Sequence, residues 1–284
     1  MSSAADSQFD LQDFVRRVLA EDIGSGGDVT SQATIAADSR FTAEMAAREP
    51  IIVAGLAVAA AFFRALDREV RIEEMVDDGE AVAAGAVLVR LQGNARAMLA
   101  AERSALNTLQ HLSGIATITR RYVDAIAGTG ATLLDTRKTV PGLRLLDKYA
   151  ARMGGAENHR MRLDDGVLIK DNHVALCGGV EAAVRAAKAA GLDMPVQVEV
   201  DRLEQIGEAL EAGADRLLLD NMAPELLREA VRMVGGRVPL EASGGVTLET
   251  IRSIAETGVE YISVGRITQS APAVDIGLDY SVQR

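Results

Sequence analysis

From Thr132 onward the chain alternates short β-like runs with amphipathic helical segments, and this alternation limits its possible folds more than any other feature. The β-like runs lie at Thr132 to Asp135, Val167 to Lys170, Val196 to Val200, Arg216 to Asp220, Val238 to Ala242 and Glu260 to Val264. Between them VEAAVRAAKAAGL, LEQIGEALEAGA, APELLREAVRMVGG and TLETIRSIAETG carry helical periodicity, and most end in the glycine that often caps a helix. Repetition at roughly 20-residue spacing predicts parallel βαβ units. These units suit either a barrel or an open doubly wound sheet. A polar residue or glycine stands at or just past the end of each run, and a barrel gathers such ends at one mouth. The expectation is therefore an α/β fold with an incomplete TIM-like α/β barrel.

The part before residue 115 reads differently. FDLQDFVRRVLA has helical spacing, and EDIGSGGDVTS breaks it with glycines. Short β-like runs follow at Phe41 to Ala46, Ile51 to Ala54, Val70 to Val76 and Val87 to Gln92, with an Ala-rich helix at Gly55 to Leu66. VDDGEAVAAGAVLVRLQG reads as a compact β-hairpin of structural role. A long helix begins near Ala95, with Gly114 as an expected break and the domain boundary within it.

At 284 residues and 48% hydrophobic composition, the chain is long enough for one large domain or two smaller ones. A net charge of −11 argues against a nucleic-acid or anionic-membrane surface, since both require an extended basic face. The N-terminal MSSAADSQFDLQDF has no basic-then-apolar leader pattern, and Ile51 to Phe63 is too short to span a bilayer. Cys177 is alone, which excludes an intramolecular disulfide and fits a reducing compartment; a small buried thiol is expected. These features predict a soluble, cytoplasmic protein.

Cations concentrate in residues 133–173, where Lys and Arg outnumber Asp and Glu. Arg137, Lys138, Arg160 and Lys170 suit carboxylates or a diphosphate, guanidinium as a planar fork and ammonium as a compact charge. Glu199 and Asp220 end consecutive runs, where they suit Mg²⁺, ribose hydroxyls or plain ion pairs. Asp201 and Glu241 are assigned to structural pairing. The glycine turns at Ser243 to Gly245 and Val264 to Arg266 follow the last two runs, where barrels often cradle a phosphate. Of the histidines, His159 in NHR is the candidate donor to a bound carboxylate; His111 and His173 read as structural.

The segments DTRKTVPGLR, KYA, NHR, LIKDNH, VEVD, LLLDN, EASGGV and ISVGRIT resemble, in this order, the quinolinate phosphoribosyltransferase family. EDIGSGGDVTS and ERSALN are similar to that family's N-terminal motifs. The resemblance implies an N-terminal α/β sandwich domain over residues 1–114, joined by the tail 276–284, and a barrel over residues 115–275. It implies phosphoribosyl transfer from 5-phosphoribosyl 1-diphosphate (PRPP) to quinolinate with decarboxylation, in NAD biosynthesis, with Mg²⁺ as cofactor. It also implies a homodimer, with higher oligomers open, in which Arg103 completes the neighbouring subunit's site. By the same pattern Arg137, His159, Arg160 and Lys170 surround quinolinate, and Lys138 and Lys170 face the diphosphate. Glu199 and Asp220 serve the ribose and the metal, directly or through water, and Ser243, Gly244 and Gly265 hold the 5′-phosphate. Lys138, Lys170, Glu199 and Asp220 are then the catalytic set. Ala156 and Arg162 stand where the family pattern has glycine, which points to an altered loop at the quinolinate pocket. Three rivals remain: a Schiff-base aldolase on Lys170, a phosphoribosyltransferase for nicotinate or another pyridine, and a non-catalytic sugar-phosphate sensor.

Overall fold

The computed structural model describes residues 9–281, so the leader reading of residues 1–8 and the last three residues of the tail lie outside the described residues. The chain groups into two compact units. The first comprises Met1–Ile118, Leu145–Gly154 and Ala271–Arg284, and the second Thr119–Arg144 and Gly155–Ser270.

In the first unit, α1 (Leu11–Ile23) starts where the Asp10 carboxylate accepts the Asp13 N–H at 2.9 Å, and α2 (Val29–Thr34) is capped likewise by Asp28. β1 (Arg40–Ala47) leads to the short β2 (Ile51–Ile52), α3 (Leu56–Leu66), β3 (Arg71–Glu74), β4 (Ala81–Val82) and β5 (Val87–Asn94). With β12 (Ile276–Ser281) these give an antiparallel sheet in the order β12-β1-β5-β3. α3 is apolar nearly all round and buries Phe62 and Phe63, and Phe14 of α1 packs on Phe62 with ring centroids 6.0 Å apart. Burying each such ring contributes about 1.5–3 kcal/mol.

Two expectations for this unit change. β4 pairs with β2 and not with β5, so the segment after Val76 is a two-way connection and no simple hairpin. The long helix α4 (Ala95–Ala125) passes through Gly114 without a break. A Cβ there would lie 2.2 Å from the Pro272 carbonyl oxygen, so the glycine permits close approach of the returning chain. α5 (Arg144–Met153) also belongs mainly to this unit, with Asp147 and Lys148 wholly buried. Asp147 Oδ1 lies 2.9 Å from His111 Nε2, which gives His111 the structural role read from the sequence.

The second unit holds β6 (Thr132–Leu134), β7 (Val167–Ile169), α6 (Asp171–Cys177), α7 (Val180–Ala189), β8 (Val196–Val200), α8 (Glu204–Glu211), β9 (Arg216–Asp220), α9 (Pro224–Val234), β10 (Leu240–Ser243), α10 (Ile251–Ala255), β11 (Tyr261–Ser263) and α11 (Arg266–Gln269). Its six strands are parallel and ordered β6-β11-β10-β9-β8-β7. The first strand thus pairs with the last and the others follow in sequence, as in a barrel opened between β6 and β7. Only the single bridge Leu134 to Glu157 extends the sheet from β6 on that side among the described residues. The expected incomplete α/β barrel is what forms. α7 buries Val180, Ala183 and Val184 (i, i+3, i+4), and α9 buries Leu227, Ala230 and Val234 (i, i+3, i+7), the helical stripes that cover parallel strands. Among the described residues no helix is long and apolar enough to cross a membrane.

Candidate active site

The carboxyl ends of the parallel strands open on a cavity of about 710 Å³. Arg137, Lys138, His159, Arg160, Lys170, Glu199, Asp220, Ser243, Gly244 and Gly265 all line it. Glu199, Asp220 and Ser243 come from the carboxyl ends of β8, β9 and β10, the others from the turns after β6, β7, β10 and β11 and from the stretch before β7. Residues distant in sequence meet because parallel strands all end at the same face.

Two guanidiniums define the electrostatics. Burial and then the like charge of Arg137 push Arg160 below the usual arginine range, with Asp165 offsetting only part. Arg137 Nε is buried without a hydrogen-bond partner among the described residues. Arg160 itself donates from Nη1 to Gly166 O at 2.9 Å, which fixes the side chain and leaves its charge uncancelled. A buried donor without an acceptor costs about 1–3 kcal/mol, and an anion entering the cavity would relieve that cost.

At the rim, Lys170 Nζ donates to Glu199 Oε2 at 2.7 Å. Asp220 Oδ2 accepts from Asn221 Nδ2 at 2.7 Å. Lys138, exposed, follows β6, and its carbonyl accepts from Thr268 Oγ1 at 2.8 Å. A Cβ on Gly265 would lie 2.8 Å from Lys138 Cδ, so this glycine gives the lysine stem its passage. Gly244, at φ +90°, would place a Cβ 2.3 Å from Asn221 Oδ1. Asn221 is in turn the one described non-glycine residue with positive φ, at 54°, and its N–H donates to Ser243 O at 2.8 Å. The turns after β9 and β10 are thereby locked together.

Two wholly buried acids flank His159: Glu241, assigned from the sequence to structural pairing, and Asp135, one of the charges that end the first run. Glu241 is wholly buried yet lines the cavity. Its Oε2 accepts from Gln197 Nε2 at 2.8 Å and lies 3.3 Å from His159 Nε2. Burial raises its pKa, but hydrogen bonding, from His159 foremost and then from Ser263 and Gln197, outweighs that and holds the carboxyl below its ordinary range. Ser263 donates to Ser243 Oγ at 3.0 Å, so Glu241 Oε1 has no hydrogen bond of good geometry. Asp135, also wholly buried, accepts the His159 N–H at 2.8 Å and the Asn158 side chain at 2.5 Å. An acid ending one run and another inside the β10 run were visible in the sequence; that both are wholly buried against His159 was not.

Other expectations resolve as follows. His173 Nδ1 accepts the Lys170 N–H at 3.0 Å and caps α6. Asp201 is exposed beside Arg202. Cys177 is exposed and not buried, because α6 has no buried residue. Ala156 and Arg162 keep negative φ, so neither position needs glycine in this chain. Arg162 pairs with Asp164 at 2.9 Å while Asp165 accepts the Met161 and Arg162 N–H groups, a local turn that balances the extra cation. Arg103 is an exposed residue of α4 in the first unit, and the residues around the mouth are all from the second.

An incomplete α/β barrel whose mouth presents uncancelled arginine charge inside an acidic protein is the architecture of an enzyme for small polyanionic substrates. The particular family follows from comparison: residues 115–279 match the profile of the quinolinate phosphoribosyl transferase C-terminal domain and residues 28–113 that of its N-terminal domain, and the chain belongs to this family. A nicotinate-nucleotide pyrophosphorylase [carboxylating] of Mycobacterium leprae is 45% identical, covering 97% of this chain and 99% of that protein. A probable enzyme of the same name from Bacillus subtilis is 42% identical over 96% of this chain and 94% of its own. The solved nicotinate-nucleotide pyrophosphorylase of Francisella tularensis superposes with a TM-score of 0.92 at 41% identity, covering 99% of this chain and 98% of that one.

Proposed function

We infer that this chain transfers the phosphoribosyl group of PRPP to quinolinate and releases the 2-carboxylate as CO₂, giving nicotinate mononucleotide and diphosphate. The activity is that of the relatives it matches across nearly its whole length. The observation that carries the substrate reading is the neighbouring pair Arg137 and Arg160, one with a buried donor unmet and the other pushed below its ordinary range by burial and then by the first. Two planar forks side by side suit a molecule with two adjacent carboxylates.

In this reading Arg137 and Arg160 hold quinolinate, and Lys138 and Lys170 face the diphosphate. The Ser243, Gly244 and Gly265 turns take the 5′-phosphate. As the C1–diphosphate bond lengthens, positive charge grows on the ribose; in this reading Glu199 and Asp220 are the carboxylates that stabilise it, and the lysines stabilise the departing anion. The pyridine nitrogen then bonds to C1. When the 2-carboxylate leaves as CO₂, the electron pair stays on C2, stabilised by the adjacent quaternised nitrogen, and C2 then takes a proton from water, so the protein needs mainly to orient and desolvate that group. No covalent nucleophile is required.

The described residues contain no group of three or more metal-ligating side chains. Two rim carboxylates with diphosphate oxygens and water match Mg²⁺, which prefers hard oxygen ligands and retains water. Glu199 and Asp220 would hold it, and when bound it supplies positive charge to the leaving diphosphate.

We further read two domains with their boundary near residue 114, close to Ile118, where the first segment of the first compact unit ends. The protein acts in the cytoplasm as a homodimer, Arg103 of one subunit reaching the mouth of the other. The experiment for the substrate reading offers quinolinate, nicotinate and nicotinamide separately with PRPP and Mg²⁺; product from quinolinate alone is expected, and equal use of nicotinate would replace it with the pyridine-monoacid reading. The experiment for the shared site mixes Arg103→Ala and Arg160→Ala subunits. A verified heterodimer should regain part of the activity, and no recovery would overturn the shared site.

A further inference from the structure

The chemistry above gives no part to Glu241. Its carboxylate is wholly buried at the floor of a cavity read as taking two anionic substrates, where a negative charge opposes binding. A charge kept at such a place has partners that depend on it. Oε2 faces His159 Nε2 at 3.3 Å, and Gln197 Nε2 donates to the same oxygen at 2.8 Å. Arg216 Nη1 lies 4.0 Å from the same oxygen, with its guanidinium 4.1 Å from the centre of the Tyr261 ring.

The other ring nitrogen of His159 fixes the proton. Nδ1 accepts the backbone N–H of Arg160 at 2.7 Å, and a nitrogen that accepts an N–H carries no proton itself. The proton of the neutral ring therefore sits on Nε2, directed at Glu241. Without an acceptor at that place the ring is free to exchange tautomers, and a proton on Nδ1 would oppose the Arg160 N–H. The backbone on the other side of His159 is held by buried Asp135. One hydrogen-bonded line thus runs from the buried acid through the imidazole to the residue bearing the Arg160 guanidinium.

We propose that Glu241 is a positioning residue: it holds His159 as the Nε2–H tautomer with Nδ1 on the Arg160 N–H, and so fixes the backbone from which Arg160 reaches the quinolinate carboxylates. This rests on reading the mouth as a quinolinate pocket. In it His159 acts through Arg160, since both ring nitrogens are already engaged by protein groups.

The test compares wild type, Glu241→Gln and Glu241→Ala as full-length enzymes, by ¹⁵N-histidine NMR and by steady-state kinetics. Gln keeps an acceptor toward Nε2 and puts its NH₂ where Oε1 has no good hydrogen bond, beside the Ser263 hydroxyl, so it is the variant expected to fold normally. Wild type and Glu241→Gln should both show His159 as the Nε2–H tautomer, with KM for quinolinate within about threefold of each other. Glu241→Ala should show a tautomer mixture and a KM for quinolinate about tenfold higher, with KM for PRPP nearly unchanged. An Nδ1–H or mixed His159 in the wild type or Glu241→Gln overturns the proposal even if the alanine variant does not fold. So does an unchanged tautomer in Glu241→Ala, or a parallel rise of both KM values. If wild type is inert toward quinolinate, the functional reading falls separately, and the NMR comparison still decides whether Glu241 sets the His159 tautomer.

Discussion

Glu199 Oε2 accepts from Lys170 Nζ at 2.7 Å and ties together the ends of neighbouring strands β7 and β8. The lysine side chain is 48% exposed and the glutamate 13%. A pair at a wet rim contributes only about 0–1 kcal/mol to stability. Lys170→Ala and Glu199→Gln should therefore leave the unfolding midpoint nearly unchanged while lowering kcat about a hundredfold or more. Parallel losses of stability and rate in urea titrations and turnover assays would mean that the pair is structural.

Arg160 lies deeper and acts differently. Arg160→Ala should lower kcat/KM for quinolinate by about two to three orders of magnitude, the scale of a lost charged hydrogen-bonding pair. Arg160→Lys should recover little, because ammonium cannot reproduce the planar fork or the bond to Gly166 O. Circular dichroism checks the fold, and substantial recovery by lysine would show that charge alone suffices.

Gly244→Ala tests the glycine turn. The added Cβ meets Asn221 Oδ1 at 2.3 Å and the backbone stays at φ +90°. Stability should fall by about 1–3 kcal/mol, and KM for PRPP should rise more than KM for quinolinate. Thermal unfolding and the two KM values measure these. Equal effects on both substrates would separate this turn from phosphate binding.

Glu241 predicts the acid limb of stability. Its folded pKa lies below the ordinary carboxyl value of about 4.3. The folded state thus binds its proton less readily than the unfolded state, and the resulting stabilisation is complete above the ordinary value and lost as pH falls through the lower folded one. Urea unfolding from pH 7 down to pH 3 should show a steeper loss in wild type than in Glu241→Gln. Superimposable profiles would show that this carboxyl is not responsible.

The barrel was legible because strand and helix alternate with clear periods, and its mouth because charged and glycine residues stand at the ends of the runs. Lys170, Glu199 and Asp220 could be placed on one face from that rule alone. Glu241 could not: in the run VPLEA it looks like any charged residue near a strand end, and only the barrel's closing direction turns it inward. Gly114 misled for a related reason, since glycine in a helix signals either a break or a close neighbour, and the neighbour, Pro272, is far along the chain. Cys177 was expected to be buried because free cysteines usually are, but a short helix with no buried face leaves it exposed.

The central claim is that uncancelled arginine charge at the mouth binds the quinolinate dicarboxylate for transfer and decarboxylation. Quinolinate labelled in its 2-carboxyl, supplied with PRPP and Mg²⁺, tests it most directly by following labelled CO₂ and nicotinate mononucleotide together. The account predicts equimolar release by the wild type and neither product from Arg160→Ala within the same time. Labelled carboxyl retained in the nucleotide product, or undiminished turnover by Arg160→Ala, would contradict it.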